Sequence, residues 1–267
     1  MKIQLPKSIQ NFIGQSKLHR NKVGQSPADV YSFEKNHDTF YLKISDHIYA
    51  NTTYSVLREA KILDWLQGKL QLPELILMAS DLENEYMISK AINAKPIAQI
   101  HGKSHTFFLE IYQEALKQLQ HLSIENCPFR SDRTSRLAES RFLLDHELLD
   151  DVYLADMDPD DIDPNVWENF QSKEQLWQYL NQQHVQEELV FSHGDMTDTN
   201  IFLDHKDQIH FLDLGRAGIA DKFVDITFVE RSLREDYSKQ ISQQFIQSLT
   251  QDHPFKRDYF LKLDELN

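Results

Sequence analysis

Hydrophobic and polar residues alternate in the first part of the chain, a pattern typical of half-buried strands. Residues 39–45 have this pattern, and residues 75–80 and 85–91 are predicted as two further strands on either side of the polar turn DLENE. Between the first two, residues 54–70 carry apolar side chains at helical spacing. We therefore predict a small antiparallel sheet with one helix for the first 91 residues.

After residue 96 the hydrophobic period becomes that of helices. Residues 106–123 place Phe108, Ala115 and Leu119 on one stripe, which predicts a long amphipathic helix. Further helices are predicted at residues 135–150, 173–183, 222–234 and 238–249. Two short strands, at residues 201–203 and 209–211, interrupt this helical part as a hairpin.

These elements predict an α+β protein of two lobes. Residues 1–91 form the smaller lobe, and residues 92–267 form a larger, mainly helical lobe. A length of 267 residues suits such a division. With 40% hydrophobic and 26% charged residues, the composition is that of a globular protein and excludes a disordered chain.

The formal net charge of −14 restricts the binding partners. Such a surface repels nucleic acid and anionic membranes and attracts a polycation, although acidity can also serve solubility alone. The single cysteine, Cys127, excludes an intrachain disulfide and suits a reducing compartment. No secretory signal and no run near the roughly 18 apolar residues of a membrane span is present, so we expect a cytoplasmic protein.

Three polar residues surround the predicted hairpin. Asp195 precedes it, Asn200 stands at its start and Asp213 follows its end. Because a hairpin brings its two ends together, Asn200 and Asp213 are predicted to form a pair of hard oxygen ligands for Mg²⁺. Asp195 is then free to accept a proton from an attacking hydroxyl group.

The order of Asp195, Asn200 and Asp213 is that of the catalytic loop and metal aspartate of protein kinases. Lys43 on a predicted strand and Glu59 on the following helix match the kinase Lys–Glu pair, in which the lysine contacts the nucleotide phosphates. Tyr41 shares a strand face with Lys43 and is predicted to cover an adenine ring, with core packing as the alternative. Ser26, in the loop 24–31, is predicted to lie over the phosphates. A P-loop and a G-x-G-x-x-G motif are both absent.

Long blocks of the sequence resemble the aminoglycoside 3'-phosphotransferases, bacterial resistance enzymes with a protein-kinase-like fold. The blocks are GQSPADVYSF, TTYSVLREAKIL, ISKAINAKP, VFSHGDMTDTNIF, FLDLGRAGIADKFVDI, SLRED and LKLDELN. The similarity extends over essentially the whole chain and is strongest to the type VI branch, which acts on kanamycin and amikacin.

The resemblance implies ATP, with GTP possible, and Mg²⁺ as cofactors, and an aminoglycoside as the acceptor. It implies that Ser89 and Ala91 contribute to adenine binding and that Asp225 supports the catalytic loop. It also implies a set of substrate-binding residues in acidic segments and beside the catalytic motifs. They are Asp156, Asp158, Asp160, Arg216, Arg231, Glu235, Asp236, Asp264, Glu265 and Asn267.

The distribution of acidic residues agrees with a cationic acceptor. Residues 145–174 contain eleven Asp or Glu and one Lys, although a charged run is also typical of a solvated loop. Two other functions remain open: a kinase for another small hydroxylated substrate, and an inactive kinase-like nucleotide-binding protein. Intact Lys43, Asp195, Asn200 and Asp213 argue against the inactive protein.

Overall fold

The computed structural model describes residues 5–21, 26–149, 167 and 169–267. Backbone contacts divide the chain into two compact units. The first comprises Met1–Gly102 and Asp198–Ala217, and the second comprises Lys103–Thr197 and Gly218–Asn267. The functional boundary between lobes at residue 91 stays a prediction.

The first unit contains an antiparallel sheet of five strands. They are β1 (His19–Asn21), β2 (Asp29–Lys35), β3 (Asp38–Asp46), β4 (Leu75–Ser80) and β5 (Asn84–Lys90). Their order across the sheet is β1-β2-β3-β5-β4. Along β3, Phe40, Leu42 and Ile44 are buried whereas Tyr41 and Lys43 remain partly exposed. The alternation predicted from the sequence is therefore present.

The described residues of the same unit include the α-helices α1 (Lys7–Ile13) and α2 (Val56–Leu66). The hydroxyl of Ser55 accepts the Arg58 N–H at 3.0 Å and thereby caps the N-terminus of α2. The buried apolar face of α2 includes Ile62, Leu63 and Leu66. The sequence prediction lacked α1, because seven residues are too few to display a helical period.

The hairpin that follows the Asp195 segment joins the first unit through strand pairing. Its strands are β8 (Ile201–Asp204) and β9 (Ile209–Phe211), and β8 also pairs with β6 (Ala94–Pro96). This pairing is why residues 198–217 belong with the N-terminal part of the chain.

The second unit is mainly helical, as the sequence predicts. Its α-helices in the described residues are α3 (His105–Gln120), α4 (Arg133–Asp145), α5 (Lys173–Gln182), α6 (Phe223–Ser232), α7 (Lys239–Ser248) and α8 (Pro254–Asp264). Strands β7 (Leu189–Ser192) and β10 (Gly218–Asp221) pair antiparallel within it. After α8, Leu266 is fully buried and the Asn267 amide donates to Ser140 Oγ at 3.0 Å, so the C-terminus is docked.

None of the helices in the part of the chain that the structure describes has the length and apolar character of a membrane-spanning helix.

Candidate active site

The β8–β9 hairpin brings Asn200 and Asp213 to its open end. Leu212 donates its N–H to the Asn200 carbonyl at 3.0 Å, so Asp213 is the next residue after the last hairpin bond. Asp213 has the left-handed backbone conformation, with φ 56° and ψ 58°. Residues other than glycine seldom adopt that conformation, although Asp adopts it more readily than most of them. The chain therefore turns sharply immediately after placing this carboxylate.

The Lys43 ammonium lies between two carboxylates of the first unit. Its Nζ is 2.9 Å from both Glu59 oxygens and 2.9 Å from Asp213 Oδ1. Burial alone would lower the pKa of Lys43, but the charges of Asp213 and Glu59 outweigh it and raise that pKa above its usual value. Lys43 is consequently held in place as an ammonium cation at neutral pH.

In the second unit, Asp225 shapes the loop that carries Asp195. The Asp225 carboxylate accepts the His193 N–H at 2.8 Å and the Gly194 N–H at 2.9 Å. Gly194 has φ 79°, which an L side chain seldom adopts. The Asp195 N–H lies 3.3 Å from His193 Nδ1, and its carbonyl accepts the Thr197 N–H at 3.0 Å. The backbone of the Asp195 loop is thus held from both sides, while the Asp195 side chain is half-buried.

The predicted nucleotide-binding residues lie on the sheet of the first unit and at its edge. Tyr41 on β3 stands directly opposite Ser89 on β5. The Ala91 N–H donates to Thr39 O at 2.9 Å, so this amide is already used by the sheet. Exposed Ser26 accepts the Ala28 N–H at 3.2 Å, which folds the start of the β2 segment into a tight turn.

Three of the acidic residues predicted to bind substrate, Asp264, Glu235 and Asp236, lie in the second unit on two different elements. Asp264 pairs with Arg231 at 3.1 Å. Burial would lower the pKa of Arg231, but the charge of Asp264, followed by those of Glu235 and Asp195, raises it. Glu235 and Asp236 are exposed on the π-helical turn Leu233–Tyr237. The Arg231 guanidinium therefore lies within the electrostatic reach of three carboxylates.

Two of the residues predicted to bind substrate lie at the C-terminus and form hydrogen bonds within the second unit. Glu265 Oε2 accepts the indole N–H of Trp167 at 3.0 Å. The Asn267 amide donates to the Leu263 carbonyl at 2.8 Å as well as to Ser140.

Arg216 belongs to the 3₁₀ turn Leu214–Arg216 of the first unit. Asp156, Asp158 and Asp160 lie outside the described residues.

The side-chain oxygens of Asn200 and Asp213 at the end of the hairpin are suitable ligands for a magnesium ion that also binds phosphates. Asp213 is half-exposed, with 51% of its side-chain surface accessible, and Asn200 is 9% exposed. Among the described residues, no group of three or more His, Cys, Asp or Glu is arranged to hold a metal ion. Mg²⁺ is commonly held by one or two protein oxygens and completes its shell with water and phosphate. Asn200 and Asp213 supply that kind of donor set.

Comparisons with known proteins identify the family. The model of the phosphotransferase enzyme family (APH) matches residues 17–259. An aminoglycoside 3'-phosphotransferase of Acinetobacter baumannii is 53% identical over 265 residues, covering 99% of this chain and 100% of that protein. The chain belongs to the aminoglycoside 3'-phosphotransferase family. Another relative of that name, from Campylobacter jejuni, is 38% identical and covers 93% of this chain and 96% of its own.

The fold is shared with solved structures of aminoglycoside phosphotransferases. The crystal structure of an aminoglycoside 3'-phosphotransferase of type VIII has a TM-score of 0.79, with 20% identity and 97% of each chain covered. The predicted family and the predicted α+β, protein-kinase-like fold are therefore confirmed. Assignment of this family member to the type VI branch stays a prediction.

The first unit also contains two charged residues whose contacts the sequence analysis missed. Arg58, next to Glu59, donates to the carbonyls of Gly215 and Ala217. Glu85 on β5 is 3% exposed and accepts the Ser55 hydroxyl at 2.5 Å. Neither had a sequence signal, because a charged residue on an amphipathic helix or at a strand end is usually solvated.

Proposed function

We propose that the protein transfers the γ-phosphoryl group of ATP to the 3'-hydroxyl of aminoglycoside antibiotics such as kanamycin and amikacin, and thereby confers resistance. The Lys43 ammonium, 2.9 Å from Glu59 and from Asp213, is the observation that carries this proposal. A lysine fixed in this way provides positive charge for nucleotide phosphates. The relatives that bear the name aminoglycoside 3'-phosphotransferase support the choice of acceptor.

Each residue has a role that follows from its chemistry. Asp195 orients the acceptor hydroxyl and accepts its proton. Lys43 binds the nucleotide phosphates, and Glu59 keeps its ammonium in place. Asn200 and Asp213 would hold Mg²⁺, which when bound neutralises charge developing on the transferred phosphoryl group. Because that transition state is loose, these residues act mainly by positioning and by charge.

The acceptor is proposed to bind through the acidic residues of the second unit. An aminoglycoside carries several ammonium groups, and clustered carboxylates raise the local concentration of such a cation. Asp264, Glu235 and Asp236 are the proposed contacts among the described residues, and Asp156, Asp158 and Asp160 are proposed to add charge. Since ATP is the phosphoryl donor, the cytoplasm is the proposed location.

The test is ATP turnover with Mg²⁺, comparing kanamycin with tobramycin, which lacks the 3'-hydroxyl. Turnover with kanamycin and none with tobramycin is the expected result. Turnover with both acceptors would retain the kinase but reject the 3' position. Turnover with neither, at Mg²⁺ and ATP concentrations that saturate binding, would reject the proposed function. Repeating the kanamycin assay with amikacin tests the predicted acceptor range.

A further inference from the structure

Arg58 makes two backbone contacts with the segment that follows Asp213. Its Nε donates to the Gly215 carbonyl at 2.9 Å, and its Nη2 donates to the Ala217 carbonyl at 2.7 Å. Both distances are those of charge-assisted hydrogen bonds. The planar guanidinium thus spans two alternate carbonyls of one short segment, a geometry that lysine cannot reproduce.

The segment from Asp213 to Ala217 needs external support. Asp213 is left-handed, and the next three residues form a single 3₁₀ turn with the Ala217 N–H bonded to Leu214 O at 3.0 Å. So short a turn has little stability of its own. A Cβ added at Gly215 would lie 2.6 Å from the Thr53 carbonyl, so the segment lies directly against the residues that precede α2.

Neighbouring residues of α2 bind the backbone of this segment at three positions. The Glu59 carboxylate accepts the Leu214 N–H and pairs with Lys43, and Arg58 binds the carbonyls of Gly215 and Ala217. The N-terminus of α2 is itself attached to the sheet, because buried Glu85 accepts the Ser55 hydroxyl at 2.5 Å. The helix can therefore act as a rigid support for the Asp213 segment.

We propose that Arg58 is a positioning residue, which fixes the Asp213–Ala217 segment through its two carbonyl contacts and so places the Asp213 carboxylate for Mg²⁺·ATP. The proposal rests on the proposed function, in which Asp213 is a Mg²⁺ ligand. Arg58 acts through the backbone of the segment and requires no contact with the nucleotide. Residues that support a metal ligand in this way typically change metal affinity or activity by about 10–100-fold when they are replaced.

The experiment compares Arg58→Gln and Arg58→Lys with Lys61→Gln, a control at an exposed position of the same helix. For Arg58→Gln we expect kcat to fall by about 10–100-fold and the Mg²⁺ concentration for half-maximal activity to rise by a similar factor. KM for kanamycin should change by less than about twofold, since the acceptor-binding residues are unaltered. Arg58→Lys keeps the positive charge but lacks the planar guanidinium that binds two carbonyls at once, so its activity should lie between those of Arg58→Gln and wild type.

Two measurements do not depend on turnover. Calorimetric titration with ADP and Mg²⁺ should show weaker binding for both Arg58 variants and unchanged binding for Lys61→Gln. Hydrogen exchange of the amides of residues 214–217 should become faster in the Arg58 variants, because their backbone loses its anchor. These measurements remain valid even if wild-type protein phosphorylates no aminoglycoside, which would reject the proposed function separately.

The proposal is overturned if Arg58→Gln and Arg58→Lys bind Mg²⁺·ADP and exchange the 214–217 amides as wild type does. It is also overturned if their melting temperatures fall but the Mg²⁺ dependence of turnover stays unchanged, which would leave Arg58 a merely structural residue. If Arg58→Gln does not fold, the same criteria are applied to Arg58→Lys.

Discussion

The state of Lys43 depends on two neighbouring carboxylates. Burial of an ammonium favours its neutral form, but the charges of Asp213 and Glu59 raise the pKa of Lys43 above 10.5, its usual value. Because a raised lysine pKa keeps the charged form present as pH increases, Lys43 remains an ammonium throughout the neutral and mildly alkaline range. Its interaction with phosphates is lost only where pH passes through that raised pKa.

Replacing Glu59 with Gln should make Lys43 sensitive to pH. The variant keeps the burial but loses one of the two negative charges, so the pKa of Lys43 falls. We expect kcat/KM for ATP to decline toward high pH at a lower pH than in wild type, and KM for ATP to rise by about tenfold even at pH 7. The measurement is the pH profile between about pH 6 and 10. Glu83→Gln, at an exposed turn of the same sheet, is the control, and identical profiles for all three proteins would contradict the assignment.

Asp195 should separate catalysis from nucleotide binding. Replacement by Ala removes the proton acceptor but none of the residues assigned to ATP and Mg²⁺, among them Lys43, Asn200 and Asp213. We expect kcat to fall by about 10²–10⁴-fold with less than a threefold change in the Kd of ADP. Stopped-flow or steady-state turnover and calorimetry provide the two values. A variant that retains most of the wild-type kcat would remove Asp195 from the mechanism.

At the scale of elements, α8 carries two aspartates that each form an ion pair, so one can serve as the control for the other. Asp264 pairs with Arg231, which also lies in the field of Asp195, whereas Asp258 pairs with Lys262 on the same helix. Asp264→Asn keeps the volume of the side chain but removes a charge proposed to attract the acceptor. We expect KM for kanamycin to rise by about tenfold and KM for ATP to stay within about twofold, whereas Asp258→Asn should change neither. Equal increases in both KM values for Asp264→Asn would indicate a folding defect instead.

Asp225 should link the stability of the catalytic loop to activity. Its two oxygens accept the N–H groups of His193 and Gly194, and the residue is 1% exposed. In Asp225→Asn one oxygen becomes an NH₂ group facing a backbone donor, which destabilises the fold by about 1–3 kcal/mol. In a protein of this size we expect the melting temperature to fall by roughly 2–10 °C. Turnover should also fall at temperatures where the variant is fully folded; unchanged stability and activity would show that the two hydrogen bonds contribute nothing.

Long elements and their order could be predicted from the sequence, but several short strands and the contacts of individual charged side chains could not. β3, α2 and α3 display their periods over seven or more residues, and the hairpin turn placed Asn200 near Asp213. β1, β7 and β10 have three or four residues each, and tertiary pairing rather than local pattern determines them. Arg58 and Glu85 were missed for the same reason, since only the folded chain shows which charged side chains bind backbone or lie inside.

At the scale of the whole molecule, charge should determine how the acceptor arrives. The chain has a formal net charge of −14. A negative field attracts an aminoglycoside polycation and repels ATP, and salt weakens both effects because the screening length falls from about 10 Å at 0.1 M to about 3 Å at 1 M. The two substrates of one enzyme should therefore respond differently to ionic strength.

We expect kcat/KM for kanamycin to fall by about tenfold between roughly 0.02 M and 0.5 M KCl, with most of the change in KM. Over the same range kcat/KM for ATP should change by less than about threefold, because salt relieves its repulsion from the protein while weakening its attraction to Lys43. ATP therefore serves as the internal control for general inhibition by salt. Asp264→Asn should show a weaker salt dependence for kanamycin, since one of the attracting charges is gone. Parallel declines for kanamycin and ATP, or a salt dependence unchanged in Asp264→Asn, would show that long-range attraction of the acceptor does not govern its binding.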